Sequence, residues 1–517
     1  MYVGHTCREL NVRHREHKSK PFFPLMIWLQ SPARIPDGLS IGVNTFVGNG
    51  GDMGNKEFLD LLAENGLYGV FAFDQEAVGH SHLLGWIHGD EPDLRKRVSD
   101  ADVGPGEGLI LNPNTPLWRI VDGVKSSWSV LDPLEGAEVT IRLKAPVTVQ
   151  SLAVWLTVSG DLSVAKDVAF FGDGKEILTA VLEKKRGQQR FALQEPATFS
   201  QLAFKVRSVY PGGVEYGSVS EIEAFDRNAE NVLLSRPRNV PRRPPEEIAP
   251  YYRKIKETAP TRPVFVTFTS AFMQDDGTYD EATRKALYSQ YVRYCDVAGF
   301  DIYPIFGWNR PAWLDRVAEG VSDLCAIAGP RRPVYAWIEA NTGSKWITPS
   351  VQIPLKPMHT RAEVWMAIIR GATAIGYFTH RWKPDYRQFA PEPEMVAELK
   401  RLNQQITKLA PAILADPARV EIDMSMSDDL PCHFKATQFD GALYIFAQNT
   451  DLGPNKDNLR QGEDIRPRAG EALIRVEGLK AGTRIEVLNE GRTLTAEDGQ
   501  FSDRFAPLAE HAYRLSL

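Results

Sequence analysis

The stretch LLGWIHGDEP, residues 83–92, begins as a continuous apolar run and ends in two adjacent carboxyls, Asp90 and Glu91. A second stretch, PVYAWIEA at residues 333–340, has the same form and ends in Glu339. Short runs that are apolar throughout are typical of parallel strands covered on both faces. Similar runs lie upstream, downstream and between them, and these two are the fourth and the seventh of eight.

Each apolar run is followed by a helical pattern. The predicted strands are Phe22–Leu29, Ser40–Val47, Tyr68–Phe73, Leu83–His88, Pro263–Thr269, Gly299–Ile305, Val334–Ile338 and Ala374–Phe378. The predicted helices are Lys56–Asn65, Ile248–Thr258, Ala282–Val297, Ala312–Ala328, Arg361–Arg370 and Pro393–Leu409. Eight strand–helix units predict the α/β fold class, in the form of a (β/α)8 TIM barrel.

Two regions depart from this rhythm and alternate apolar and polar residues with period two. From about Val103 to Phe225 the alternation predicts an antiparallel β-sandwich, a jelly roll inserted after strand four. The charged, proline-rich stretch Arg236–Glu247 then predicts a stiff linker. The last hundred or so residues predict a C-terminal β-sandwich. The predicted domains are therefore residues 20–102 and 233–415 for the barrel, 103–232 for the insert and 416–517 for the C-terminal sandwich.

Composition excludes several classes of function. Acidic and basic residues are interspersed and leave a net charge of -6, so there is no basic footprint for nucleic acid and no polybasic membrane patch. No Gly-rich phosphate loop follows a strand, so no organic cofactor is implied. The four cysteines are far apart and define neither a disulfide framework nor a zinc site; they are Cys7, Cys295, Cys325 and Cys432.

The first twenty residues are polar and basic. His5, His14 and His17 lack metal-ligand spacing, and a flexible tail is the simpler interpretation. No apolar core of a signal peptide follows them, and no run is long enough to span a membrane. We expect a cytoplasmic protein as the sequence stands, or a secreted or periplasmic one if a leader has been trimmed.

Two carboxyls at the ends of strands four and seven would face each other across the mouth of one barrel. Retaining cleavage of a glycosidic bond needs one carboxyl that donates a proton and one that attacks the anomeric carbon, about 5–5.5 Å apart. A Glu at a strand end is also commonly a surface ion pair. The joint occurrence of Glu91 and Glu339 favours catalysis.

The barrel portion, residues 20–100 and 240–415, resembles the clan A glycoside hydrolases, the "4/7" barrels. In that clan the acid/base Glu ends strand four inside an Asn-Glu-Pro tripeptide, and the nucleophile Glu ends strand seven. Here the tripeptide is Asp90-Glu91-Pro92, with Asp in place of the Asn that binds a sugar hydroxyl. The resemblance implies Glu91 as general acid/base, Glu339 as nucleophile and Asp90 as a substrate contact.

The same resemblance implies roles for two aromatic residues. Tyr303, in the segment Asp301–Pro304, matches a Tyr that binds the nucleophile in related barrels and keeps it ionised. Trp382, just after strand eight, matches a Trp that forms the floor of the sugar site. Tyr303 is alternatively a packing residue, and Asp301 a residue that only satisfies backbone amides.

Other polar and aromatic residues near strand ends are candidate sugar contacts. Asp74 and Gln75 follow strand three, although an Asp there also caps helices. His88 and His380 are substrate contacts or supporting residues. Aromatic faces stack on sugar rings, and tryptophans at or beyond strand ends are Trp28, Trp86, Trp308, Trp346 and Trp382, of which Trp308 and Trp382 are the preferred candidates.

The insert resembles discoidin-type, galactose-binding-like jelly rolls over about Asn112–Asp226. The matching segments are VDGVKSSWSV, DVAFFGDGKE and GSVSEIEAFD, in that order. In that family a calcium ion often joins the first loop to the last strand, which implies Asp122 and Glu223 as ligands. Val124 stands where a second acid is usual. The insert either binds glycan independently or only shapes one wall of the cleft.

Together these patterns predict a retaining glycoside hydrolase that cleaves an oligo- or polysaccharide, a carbohydrate-degrading enzyme with an attached carbohydrate-binding module. No cofactor is expected beyond a structural calcium in the insert, the partner is a carbohydrate, and the oligomeric state is open. The first rival is a non-catalytic carbohydrate-binding barrel protein. The second is a metal-dependent hydrolase, which would need clustered His and Asp ligands.

Overall fold

The computed structural model describes residues 22–330 and 332–516. The predicted tail with His5, His14 and His17, together with Cys7, lies outside the described residues. The described residues form two compact units: one combines the residues up to Arg95 with those from Pro241 onward, and the other is Lys96–Val240. The four-part domain division drawn from the sequence stays a prediction.

The first unit contains a closed barrel of eight parallel strands. The strands are Leu25–Trp28, Thr45–Val47, Tyr68–Phe71, Leu83–Ile87, Val264–Phe268, Val297–Asp301, Val334–Glu339 and Ala374–Phe378. They neighbour one another in chain order, and strand eight pairs with strand one to close the ring. All eight predicted strands therefore exist, most of them shorter than predicted.

The helices do not match the predicted repeat. Seven α-helices occur within the described residues: Ile35–Ile41, Asn55–Glu64, Pro245–Thr258, Glu281–Tyr291, Arg316–Ala328, Pro357–Arg370 and Pro393–Ile413. The first of them replaces the beginning of the predicted strand Ser40–Val47. Within these described residues no helix is both long and apolar enough to cross a bilayer.

The predicted (β/α)8 TIM barrel is therefore wrong as a fold class, because the third strand has no α-helix after it. Only a 3₁₀ turn, Gln75–Ala77, lies between strands three and four. The whole connection is residues 72–82, whereas a helical crossover between parallel strands takes roughly a dozen residues or more. The barrel is an eight-stranded parallel barrel with an incomplete helical layer.

The barrel strands are apolar on both faces because both faces are buried. Inward-pointing residues such as Met26, Phe265, Tyr335 and Trp337 fill the barrel interior as one cluster. Outward-pointing residues pack against the helices in a larger cluster. On strand six, Val297 belongs to the interior cluster, and side chains alternate along a strand. Asp301, the last residue of that strand, therefore lies on the interior face at the carboxyl end.

The second unit is built from antiparallel strands. Its main sheet contains Lys175–Val181, Asp167–Gly172, Gly187–Val206, Glu138–Leu156, Gly217–Phe225 and Ser129–Leu131 in that order, and Asp102–Pro105 pairs with Glu138–Leu156. A two-stranded sheet joins Val164–Ala165 to Val209–Tyr210. Leu152, Val154, Phe170 and Phe204 are among the buried residues of its own hydrophobic core.

The C-terminal region of the first unit forms two antiparallel sheets around another core. The six-stranded sheet contains Asp416–Pro417, Cys432–Phe439, Ala442–Asn449, Glu510–Leu515, Arg484–Val487 and Arg492–Thr495. The three-stranded sheet contains Ile422–Met426, Gly470–Val476 and Gln500–Phe505. Period-two burial along these strands explains the alternation in the sequence.

Candidate active site at the barrel mouth

The loop after strand four holds Glu91 in a strained backbone conformation. Its φ is 44°, in the left-handed region, which costs a non-glycine residue about 1 kcal/mol. The Arg242 guanidinium donates hydrogen bonds to the backbone carbonyls of Asp90 and Glu91, each at 2.9 Å, and lies 3.4 Å from the Glu91 carboxylate. Strain of this kind is concentrated at functional sites.

A glycine lets a second arginine approach the same loop. A Cβ added at Gly89 would lie 2.1 Å from the Arg243 guanidinium. The Arg243 backbone N–H donates to the carbonyl of Pro92 at 2.8 Å. The segment that the sequence predicts to be only a charged linker therefore holds the Glu91 loop in place.

Asp93 anchors the other end of this loop to strand five and its helix. Its buried carboxylate accepts hydrogen bonds from the Thr269 backbone N–H at 3.0 Å, from the Thr269 hydroxyl at 2.9 Å and from the Tyr288 hydroxyl at 2.5 Å. Burial raises the pKa of Asp93 to about 7 despite these donors. Asp93 is a positioning residue for the loop.

Three carboxyls meet where strands four and six end. Asp301 hydrogen-bonds the Glu91 side chain, and burial followed by the negative charges of Glu91 and Asp90 raises the pKa of Asp301 well above its ordinary value. Asp90 remains largely solvent-accessible, yet the pKa of its carboxyl is raised to about 6, first by desolvation and then by Glu91. Asp301 is thus a neutral acid that donates its proton toward Glu91.

Tyr303 lies within electrostatic range of the whole acidic group. Burial and then the charges of Asp301, Asp90, Glu91 and Glu339 raise the pKa of its hydroxyl. Its ring packs 4.8 Å from that of Phe378, at the end of strand eight. Tyr303 therefore connects the carboxyl cluster with an aromatic surface.

Glu339 is not presented to the opening. Its side chain is 0% exposed, and its carboxylate accepts hydrogen bonds from the backbone N–H groups of Ile305, at 3.0 Å, and Phe306, at 2.6 Å. Glu363, also buried, lies beside Glu339, and burial raises the pKa of both carboxyls. In this geometry Glu339 fixes the loop after strand six and is not paired with Glu91.

Aromatic side chains form a continuous surface beside the carboxyls. Trp382 stacks on Phe378 with ring centres 5.6 Å apart and planes 14° apart, and Phe306 lies 6.0 Å from it. Trp346 and Tyr386 extend this surface and are 63% and 56% exposed. Exposed aromatic faces next to polar groups suit the apolar faces of sugar rings.

Several buried polar atoms near these strand ends make no well-formed hydrogen bond. They are Oε1 of Gln30, Oδ1 of Asp301, Oδ1 of Asn341 and both ring nitrogens of His380. The His380 ring lies 5.8 Å from Trp382, and burial lowers the pKa of His380 to about 4. Buried polar atoms without partners are uncommon in proteins, and these atoms lie beneath the surface of the barrel mouth.

Other predicted contacts lie outside this group. Asp74 caps the 3₁₀ turn by accepting from the Glu76 backbone N–H at 3.0 Å, and Gln75 is exposed in that turn. His88 is buried with Nε2 2.6 Å from the carbonyl of Tyr294, and burial lowers the pKa of His88 to about 4. Trp308 packs 5.5 Å from Trp313.

The sequence interpretation missed three participants. Arg242 stands in a stretch whose composition indicates only a linker, so no signal pointed to it. Asp301 is predicted only to satisfy backbone amides, and the predicted strand Gly299–Ile305 runs past it. Asp93 belongs to the DEPD motif of residues 90–93, just after strand four. Nothing in the sequence distinguished it from an ordinary surface Asp.

The residues predicted to bind calcium do not fit a calcium site. Glu223 accepts from Lys125 Nζ on one oxygen and from Trp155 Nε1, at 2.7 Å, and Gln188 Nε2, at 2.6 Å, on the other. Asp122 accepts from the Val124 N–H and the Ser127 hydroxyl. Protein donors, including an ammonium group, therefore already satisfy these carboxylates. Among the described residues, no group of three or more His, Cys, Asp or Glu side chains is arranged to hold a metal ion.

No family model matches this chain, and no curated protein matches it. Among solved structures, the chain is similar to the CBM32-1 and CBM32-2 domains of Clostridium perfringens ZmpB in complex with GalNAc, at 14% identity over 25% of this chain and 34% of that chain, with a TM-score of 0.22. It is also similar to the family 32 carbohydrate-binding module of C. perfringens NanJ in complex with galactose, at 11% identity over 25% of this chain and 98% of that one, with a TM-score of 0.21. A third is the CBM32 of AlyQ in complex with 4,5-unsaturated mannuronic acid, at 14% identity, 25% and 98% coverage and a TM-score of 0.20.

These neighbours are carbohydrate-binding domains, which agrees with the resemblance to galactose-binding-like domains that the sequence predicts for the insert. The predicted resemblance to clan A barrels stays a prediction. Similarity at these identities and TM-scores does not show what this chain binds or which reaction it catalyses.

Proposed function

We propose that this chain is a glycoside hydrolase with Glu91 as its general acid/base. The observation that carries the proposal is the strained Glu91, held by Arg242 beside the carboxyls of Asp90 and Asp301. An aromatic surface formed by Trp382 and its neighbours adjoins these carboxyls. Carboxyls of differing protonation beside exposed aromatic faces support cleavage of an acetal bond in a sugar.

In the proposed mechanism, Glu91 donates a proton to the leaving oxygen as the glycosidic bond breaks. Asp301, a neutral acid behind Glu91, holds the Glu91 carboxyl in position through their hydrogen bond. The negative charge of Asp90 stabilises the positive charge developing at the anomeric carbon. Water then attacks that carbon, and the proton that the water loses returns Glu91 to its acid form. Among the carboxyls of this site, Asp90 is the one most accessible to solvent.

The retaining mechanism predicted from the sequence assigns nucleophilic attack to Glu339. To attack, Glu339 would have to leave the backbone N–H groups of Ile305 and Phe306 and separate from Glu363. A second candidate function, a non-catalytic carbohydrate-binding barrel, is favoured by this burial of Glu339. The two functions differ in whether the barrel mouth turns over substrate or only holds it.

Hydrolysis of nitrophenyl glycosides and then of polysaccharides tests the proposal, with the wild type compared with Glu91→Gln and Glu339→Gln. Loss of a general acid reduces turnover by about 10²–10⁴-fold, and we expect this of Glu91→Gln. Glu57→Gln, at an exposed position of the helix Asn55–Glu64, is the matched control.

The outcomes separate the candidates. Full activity of Glu91→Gln would refute the proposal. Saturable sugar binding without hydrolysis of any substrate would establish the non-catalytic barrel. Covalent labelling of Glu339 by a fluorosugar would establish the predicted retaining mechanism in place of the role proposed for Asp90.

A further inference from the structure

The second unit contains a cavity of about 790 Å³ that is separate in chemistry from the barrel mouth. Its lining includes three cations, Lys96, Arg97 and Arg119, and no Asp or Glu. Within the part of the chain that the structure describes, none of the three cations takes part in an ion pair or a side-chain hydrogen bond. The lining therefore carries a local charge of about +3, in a chain whose net charge is -6.

Two tryptophans line the same cavity. Trp128 is 42% exposed, and Trp118 is partly buried. A large apolar ring left in water costs free energy unless a ligand covers it. Pockets of roughly 300–1,000 Å³ accommodate small organic ligands, so this cavity has room for a short saccharide.

A cavity lined by the six-stranded C-terminal sheet and Lys408 provides a contrast. It has a volume of about 640 Å³ and includes Arg492 and Arg514. Arg492 is already paired with Asp503 at 2.8 Å, and Arg514 lies 3.6 Å from Glu486. An acid, Glu486, lies among the cations of that cavity, whereas the lining of the cavity beside Trp128 includes no acid.

We propose that the cavity formed by Lys96, Arg97, Arg119, Trp118 and Trp128 binds a carboxylated saccharide, a glycan that contains uronic acid. The indole of Trp128 stacks on a sugar ring, and a guanidinium holds the carboxylate as a bidentate partner. This proposal rests on the proposed function in one respect: the ligand is taken to be a saccharide because the chain is proposed to act on saccharides. It makes the second unit a binding site in its own right.

The test uses the full chain carrying Glu91→Gln, so that turnover does not consume the ligand. Isothermal titration compares trigalacturonate with the same trimer after its carboxyls have been reduced to alcohols. We expect trigalacturonate to bind at least about tenfold more tightly than the reduced trimer, and we expect added salt to weaken binding because the charges are exposed. Arg119→Gln and Trp128→Ala should each weaken binding of trigalacturonate about tenfold or more.

The matched control is Arg484→Gln in the C-terminal cavity, which should leave this binding unchanged. Equal affinity for the charged and reduced trimers would overturn the proposal. Loss of binding in Trp346→Ala but not in Trp128→Ala would overturn it as well, and so would tighter binding of a single-stranded oligonucleotide at the same residues. Hydrolysis is measured separately on the chain with Glu91 intact, so failure of binding here is distinct from failure of the proposed enzyme activity.

Discussion

Two substitutions of Asp301 test the proposed roles at the barrel mouth, in which Glu91 transfers the proton and Asp301 holds Glu91 in position. Its side chain hydrogen-bonds Glu91, and its pKa is raised well above the ordinary value by burial and by the neighbouring carboxylates. Its other oxygen, Oδ1, is buried and makes no well-formed hydrogen bond. A neutral acid in this position acts as a hydrogen-bond donor, and an amide is also a donor.

The expected magnitudes follow from that single contact. A hydrogen bond to a charged group contributes about 1.5–3 kcal/mol, so Asp301→Ala should lower kcat/KM by about 10–150-fold. Asp301→Asn keeps a donor of similar size opposite Glu91 and should lower kcat/KM by less than about fivefold. The order of the two variants is therefore the decisive result.

The assay is kcat/KM on the best substrate from the glycoside screen, with urea unfolding of each variant to confirm that it is folded. Asp498→Asn, in an exposed turn of the C-terminal region, is the matched control and should behave as wild type. If Asp301→Asn is as inactive as Asp301→Ala while both remain folded, Asp301 itself transfers the proton, and the role assigned to Glu91 is refuted. Losses of about 10²–10⁴-fold in both variants would indicate that outcome.

Three further predictions follow from other carboxyls and their partners. The pKa of Asp90 is about 6, so the pH–rate profile should bend near pH 6 and lose that bend in Asp90→Asn. Lys125→Met should lower the free energy of unfolding by about 1–3 kcal/mol, because it leaves the largely buried Glu223 without its cation. Calcium or a chelator should leave the wild-type melting temperature unchanged, and a rise of that temperature with calcium would contradict the conclusion that Asp122 and Glu223 form no calcium site. Burial raises the pKa of Glu221 to about 8 from an ordinary 4.5, so the folded protein retains a proton that the unfolded chain releases. The contribution of this proton to the free energy of unfolding is complete below pH 4.5 and is lost as pH rises toward 8. Urea unfolding midpoints measured across this range should therefore decline with pH, and Glu221→Gln should flatten that decline. If the decline is the same in Glu221→Gln, Glu221 titrates normally.

Burial patterns were sufficient to predict the parallel strands. A strand such as Leu83–Ile87 is covered by the barrel interior on one face and by helices on the other, so it must be apolar at every position. The same reasoning could not show that residues 72–82 form no α-helix. An Asp such as Asp74 caps a 3₁₀ turn as well as an α-helix, so its presence in the sequence does not distinguish the two. The fold class was predicted incorrectly at that connection.

Strand six shows how a small error in the predicted ends of a strand affects the prediction of a site. The predicted strand is Gly299–Ile305, and the structure has Val297–Asp301. Asp301 therefore ends the strand on the interior face, where it meets Glu91. Propensity defines strand ends poorly, and the difference of a few residues concealed this partner.

The sequence by itself determined that this protein has parallel strands with carboxyls at their ends, and that antiparallel sheets interrupt and follow them, because periodicity of burial is written directly into residue order. Only the tertiary structure decided which carboxyls meet. Glu91 is joined to Asp301 and Arg242, distant in sequence, whereas Glu339 is enclosed by backbone N–H groups of the neighbouring loop. The direction of a long side chain at a strand end depends on the hydrogen-bond donors that the surrounding loops provide, and no local pattern specifies where those loops lie.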